Sequence, residues 1–216
     1  MMVLRMPDLR ALVAACTGMG LEFVSGRKRF RYSTFNSDQL PEWVHLRLKN
    51  GKGLYTPDHL IRIQNRTSGS KENSIGVYED PDGHFILVAD LEKEGGRALS
   101  DHIGQDGLDL LYAYRIHAIR IFARDHCLLT DGGSVLRSNI YICRLQGDDM
   151  TRRIQVRVKK GGALEAEILE GVAGPSCATI LDKLRSAVGG TLLSTETKPE
   201  YYQQEIEVPA DIRQGA

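Results

Sequence analysis

Residues 74–89 constrain the fold more than any other stretch. Two apolar-rich runs, 74–78 and 84–89, flank Glu79-Asp80-Pro81-Asp82-Gly83. Proline inside a turn presets φ, and glycine at its end accepts the conformation that reverses the chain. Short runs on either side of such a turn pair as an antiparallel hairpin. A chain built on such pairs is not a doubly wound sheet, because parallel neighbours need a crossover of about a dozen residues or more. Asp80 and Asp82 also raise the idea of a calcium loop. The acceptor spacing does not continue, and no glutamate stands at the bidentate position, so a plain turn is the reading.

The remaining elements follow from local pattern. Asp8 caps a helix in which Leu9, Leu12, Val13 and Cys16 recur at helical spacing, and Gly18 and Gly20 end it. Residues 21–24, 43–48 and 59–64 read as strands, and 91–107 as an acidic, glycine-bearing connection. The longest helix is expected over 108–126, with Leu108, Leu111, Tyr112, Ile119, Phe122 and Ala123 as its apolar stripe. Hairpins are expected over 127–145, turning at Asp131-Gly132-Gly133-Ser134, and over 153–168, turning at Lys160-Gly161-Gly162. The paired glycines hint at a duplicated unit. Pro175-Ser176 opens a helix whose stripe is Cys177, Ile180, Leu181, Leu184 and Val188, and Gly189-Gly190 stops it. Residues 191–194 read as a last strand. The polar break 146–151 divides the chain into an α+β domain, 1–148, and a small ββαβ domain with a C-terminal tail, 149–216. The fold class is α+β, with antiparallel β-hairpins and helices packed on one face.

Composition narrows the functional classes. With 42% hydrophobic residues the chain builds a core and is not a disordered tail. Four cysteines, Cys16, Cys127, Cys143 and Cys177, are too few for a disulfide scaffold and include no CxxC pair. Buried thiols in a reducing compartment are expected. No run reaches the roughly 20 apolar residues of a membrane span, and the first residues lack a signal-peptide pattern, so a cytoplasmic location is expected. The net charge of zero hides a separation. Residues 27–71 hold ten Lys and Arg against three Asp and Glu, and residues 72–150 hold seven against fourteen.

No motif fixes a reaction. There is no phosphate-binding loop, and the six histidines stand at no ligand spacing, so no metal or cofactor is expected. Cys177 opens a helix, where unpaired N–H groups favour a thiolate; it also begins the apolar stripe and can pack as a small hydrophobe. The run Arg27-Lys28-Arg29-Phe30-Arg31-Tyr32 interleaves cations with aromatics. It can meet solvent, the acidic segment of its own fold, a protein partner, or a nucleic-acid backbone. Tyr201 and Tyr202 either cover the edge of the core or contact a partner.

Several segments resemble a known family. They are Asp8-Leu9-Arg10-Ala11-Leu12 with Gly20-Leu21-Glu22-Phe23, Asn73-Ser74-Ile75-Gly76-Val77-Tyr78, the turn Asp82-Gly83, the following Phe85-Ile86-Leu87-Val88-Ala89-Asp90, and Tyr112-Ala113-Tyr114. Over residues 5–145 the chain resembles the hypothetical chloroplast reading frame 35 family, an uncharacterised family of plastids, cyanobacteria and other bacteria. The hairpin 154–168, Gly174-Pro175-Ser176-Cys177 and Lys198-Pro199-Glu200-Tyr201-Tyr202 resemble a second uncharacterised family of short proteins. The two families tend to occur beside a AAA+ ATPase resembling the reading frame 46 product. The chain looks like a fusion of the pair, although 25–72 is longer and more basic than in the first family. The resemblance implies a non-enzymatic adaptor or regulatory subunit of a AAA+ ATPase. Its expected contact residues are Arg27, Lys28, Arg29, Arg31, Tyr201 and Tyr202. The alternatives are a nucleic-acid-binding accessory protein using 27–71 and a thiol-dependent enzyme using Cys177.

Overall fold

The computed structural model describes residues 2–26, 30–31, 54–55, 57–64, 74–89, 91, 94–136, 140–146, 153–161, 163–170 and 175–189. Five strands form an antiparallel sheet in the order β1 (Met2–Met6), β7 (Phe85–Ala89), β6 (Ser74–Glu79), β5 (His59–Ile63) and β2 (Leu21–Val24). The expected hairpin lies at its centre, with Gly76 opposite Val88 and Glu79 opposite Phe85. Helix α1 (Leu9–Gly18) joins the two edge strands. Asp8 caps it as expected, accepting from the Arg10 and Ala11 amides, and Gly20 follows its end at φ +68°. Ala11, Leu12, Ala15 and Cys16 of α1 share one core with Met2, Met6, Leu21, Ile61, Ile75, Val77 and Leu87 of the sheet.

Strand β1 was not expected. Five residues are too few to show a period, and β1 is fixed by pairing with β7, 79 to 87 positions away, with Met2 opposite Ala89 and Met6 opposite Phe85. A second correction concerns 91–107. Helix α2 (Glu94–Ile103) occupies most of it, followed by a short 3₁₀ turn at Gln105–Gly107. Gly95 and Gly96 lower its intrinsic propensity, but Leu99 and Ile103 are fully buried one turn apart.

Helix α3 (Leu108–Asp125) is the centre of the molecule, touching α1, α2, α4 (Pro175–Val188) and strands β8 (Leu129–Leu136) and β10 (Arg153–Lys159). Packing from several sides rotates and widens its buried stripe. Leu110, Tyr114, Ala118, Ile119, Phe122 and Ala123 are buried, Leu111 and Tyr112 are half-buried, and Leu108 is exposed.

The second antiparallel sheet has the order β11 (Leu164–Glu170), β10, β9 (Ile140–Gln146), β8. Ile154, Val156, Val158, Leu164 and Ala166 are buried on one face, as the alternation requires. The turn expected at 131–134 lies inside β8 instead, where the register slips between Asp131 and Ser134, and the chain reverses between Leu136 and Ile140. Only the hairpin at Gly161 (φ +92°) turns at its glycine, so the two glycine pairs do not mark a repeat. The polar break 146–151 joins two neighbouring strands: β9 pairs with β10, Gln146 opposite Arg153 and Ile140 opposite Lys159. The expected boundary near 148 therefore runs through one sheet, and residues from both sides of it share one core.

A two-residue ladder, β3 (Phe30–Arg31) with β4 (Leu54–Tyr55), completes the described strands. The strands expected at 43–48 and 191–194 lie outside the described residues. Cys16 and Cys143 are buried thiols, but Cys127 is exposed, because it sits in the turn after α3 at φ +53°. Among the described residues no helix is long and apolar enough to cross a membrane.

Candidate functional site

The central hairpin turn is organised by Asp80. Its backbone N–H donates to the His84 carbonyl and its own carbonyl accepts from Gly83 (2.8 and 3.0 Å), closing the reversal. Its Oδ1 accepts from the amides of Asp82 (2.9 Å) and His84 (2.8 Å). Its Oδ2 accepts from Arg5 Nη2 at 3.1 Å, and the Asp80 side chain is only 6% exposed. Burial pushes the Asp80 carboxyl up, but the two backbone amides, His84 and the Arg5 charge outweigh it. The carboxyl is held below its ordinary value.

Arg5 reaches this turn because β1 runs beside β7. The same Nη2 lies 3.8 Å from Asp82 Oδ2 and 2.9 Å from His84 Nδ1. His84 Nδ1 also lies 3.5 Å from Asp80 Oδ1, so the imidazole faces both the guanidinium and the carboxylate. Asp80, Asp82 and His84 bring three ligand-type atoms within 4.8 Å of one another, the grouping that a cation site needs. Here the protein's own guanidinium is the cation they surround.

Arg5 and His84 form one wall of an open cleft of about 420 Å3, completed by Pro7 and by Asp182, Arg185, Ser186 and Gly189 from the end of α4. Leu181, Leu184 and Val188 face the core, which leaves Asp182, Arg185 and Ser186 exposed. The α4 end is held by three contacts. The Gly189 N–H donates to the Arg185 carbonyl (3.0 Å), and Arg115 Nη2 donates to the Gly189 carbonyl (2.9 Å). The buried Tyr114 hydroxyl accepts from the Asp8 amide (3.0 Å) and donates to the Ala187 carbonyl (3.4 Å). Burial pushes the Tyr114 phenol up and the half-buried Arg115 down. Gly189 has φ +69°, and a Cβ there would stand 2.9 Å from Pro7 Cδ, so glycine permits the approach.

Arg27, Lys28, Arg29, Tyr201 and Tyr202 lie outside the described residues. Arg31 is in β3, opposite Leu54, and Cys177 is the third residue of α4, in the first turn as expected; for both, the described part is the backbone. The cleft residues were missed. Two signals existed: Arg5 interrupts an apolar run, and Asp182, Arg185 and Ser186 mark the polar side of an amphipathic helix. Neither says that the two meet.

Comparison with known proteins finds a family match in the C-terminal part of the chain. Residues 154–202 match the model of a protein family of unknown function (DUF2997). The match begins in β10 and runs through β11 and α4. It contains the expected uncharacterised C-terminal module, Cys177 and the Tyr201-Tyr202 pair. The α4 wall of the cleft lies inside the matched region, and the Arg5, Pro7 and His84 wall lies outside it. No curated protein and no solved structure matches the chain.

Proposed function

We propose that this chain is a non-enzymatic adaptor or regulatory subunit that binds a protein partner, and that the partner is a AAA+ ATPase. The cleft carries the binding part of this reading. Its polar lining consists of hydrogen-bond donors, a carboxylate and an internal ion-pair cluster, contributed by two distant parts of the chain. Such a set suits recognition of a surface group. The resemblance of 5–145 to the reading frame 35 family supplies the class of partner. The DUF2997 match supports an uncharacterised domain of unknown function at residues 154–202.

The test is co-purification of the full chain with a AAA+ ATPase that resembles the reading frame 46 product, from the same genome, with and without ATP, followed by native mass spectrometry. A stoichiometric complex in either state is the expected result. No complex in both states overturns the proposal.

A further inference from the structure

We infer that the cleft between Arg5, His84 and the end of α4 takes a carboxylate side chain from an acidic protein segment. The donors come first. Arg185 is exposed and has no ion-pair partner among the described residues, unlike Arg5, Arg10 and Arg62. Arg5 spends Nη2 on Asp80, Asp82 and His84, which leaves its Nε and Nη1 hydrogens for another acceptor. With Nδ1 turned to Arg5 and Asp80, the Nε2 side of His84 is available as a further donor, and Ser186 adds a hydroxyl. A guanidinium fork matches a carboxylate in shape as well as charge.

The acceptors then narrow the ligand. Asp182 lines the same cleft, and Asp80 and Asp82 stand behind Arg5. A phosphate dianion would meet these carboxylates at close range. A single carboxylate flanked by peptide N–H groups meets the arginines with its charge and Asp182 with its donors. The end of α4 would itself repel an anion, but Arg115 covers the Gly189 carbonyl, and Arg185 offsets the helix dipole. About 420 Å3 accommodates one or two side chains with their backbone.

This deepens the adaptor reading and rests on it for the source of the carboxylate. The experiment is an NMR titration of the full chain with the capped peptide acetyl-Gly-Glu-Glu-Gly-amide, following backbone amides and Arg Nε–H signals. Saturable shifts at Arg5, His84, Arg185 and Ser186 are expected. R185Q weakens binding by about tenfold or more, and D182N strengthens it, with unchanged spectra elsewhere showing that both variants fold. No saturable shift at millimolar peptide overturns the inference, as does equal binding by R185Q. Binding of free glutarate without binding of the peptide overturns the protein source. If the peptide binds and no ATPase co-purifies, the cleft assignment stands and the ATPase reading falls. If the ATPase co-purifies equally with R185Q, the cleft assignment falls and the ATPase reading stands.

Discussion

Asp80 shows what a single side chain does in this protein. Its two oxygens satisfy two turn amides and one guanidinium, all from a position that is almost fully buried. Asp80→Asn keeps an oxygen for the amides but loses the charge facing Arg5. The expected cost at pH 7 is about 1–2 kcal/mol, measured by urea unfolding. The pH dependence has a definite sign. The folded carboxyl sits below its ordinary value of 3.8, so its contribution is complete above that value and is lost as pH falls through the folded one. The difference between wild type and Asp80→Asn should therefore shrink below about pH 4. A gap that is constant from pH 7 to pH 3 would contradict this account. The turn itself was legible, because Pro81 and Gly83 act locally. Arg5 was not, because its partner is 75 positions away and only the β1–β7 pairing brings them together.

Elements were legible to the degree that their own residues fix them. The Asp8 cap, the central hairpin and the alternation of β10 were readable, since each is a pattern a few residues long. β1 and α2 were not, because one is held by a distant strand and the other by two buried side chains despite the low propensity of its paired glycines. The stripe of α3 was out of phase because a helix packed from several sides does not show one apolar face. Within α3, Tyr114 links the start of α1 to the end of α4 through one hydroxyl. Tyr114→Phe leaves the Asp8 amide and the Ala187 carbonyl short of a partner and is expected to cost about 1–3 kcal/mol. Hydrogen exchange should quicken at Asp8 and in the last turn of α4 more than in β9. Uniform acceleration would mean that the link has no local role. At the other end of the contact, Gly189→Ala imposes a left-handed φ on alanine and a clash with Pro7. It is expected to lower Tm by several degrees, roughly the effect of 1–2 kcal/mol.

At the scale of the whole molecule, the charge separation and the domain boundary lead to the same conclusion. Among the described residues, the acidic stretch 72–150 meets cations from outside 27–71: Arg5 with Asp80, Arg10 with Asp125 and Lys160 with Asp109. Arg62, from the basic stretch, pairs with Glu22. Apart from Arg5–Asp80, whose carboxylate is buried, these pairs are exposed or half-exposed and each contributes little stability; of the four, Lys160–Asp109 joins the segments on either side of residue 148. The stronger bond between those segments is the shared sheet and the apolar surface of α3, where Tyr141, Cys143 and Leu145 pack with Ile154, Val156 and Val158. The family match begins at residue 154, one position into β10, yet the sheet and the core do not divide there. The full chain is therefore expected to unfold in a single calorimetric transition, with calorimetric and van't Hoff enthalpies that agree. Truncation after residue 152 removes β10, β11 and α4, turns β9 into an edge and uncovers α3. The fragment 1–152 should lose cooperative unfolding and bind a hydrophobic dye. Two resolved transitions in the full chain, or a cooperative transition in 1–152 at the full-chain temperature, would show that the regions on either side of residue 152 fold as independent domains and that the cleft is only a contact between them.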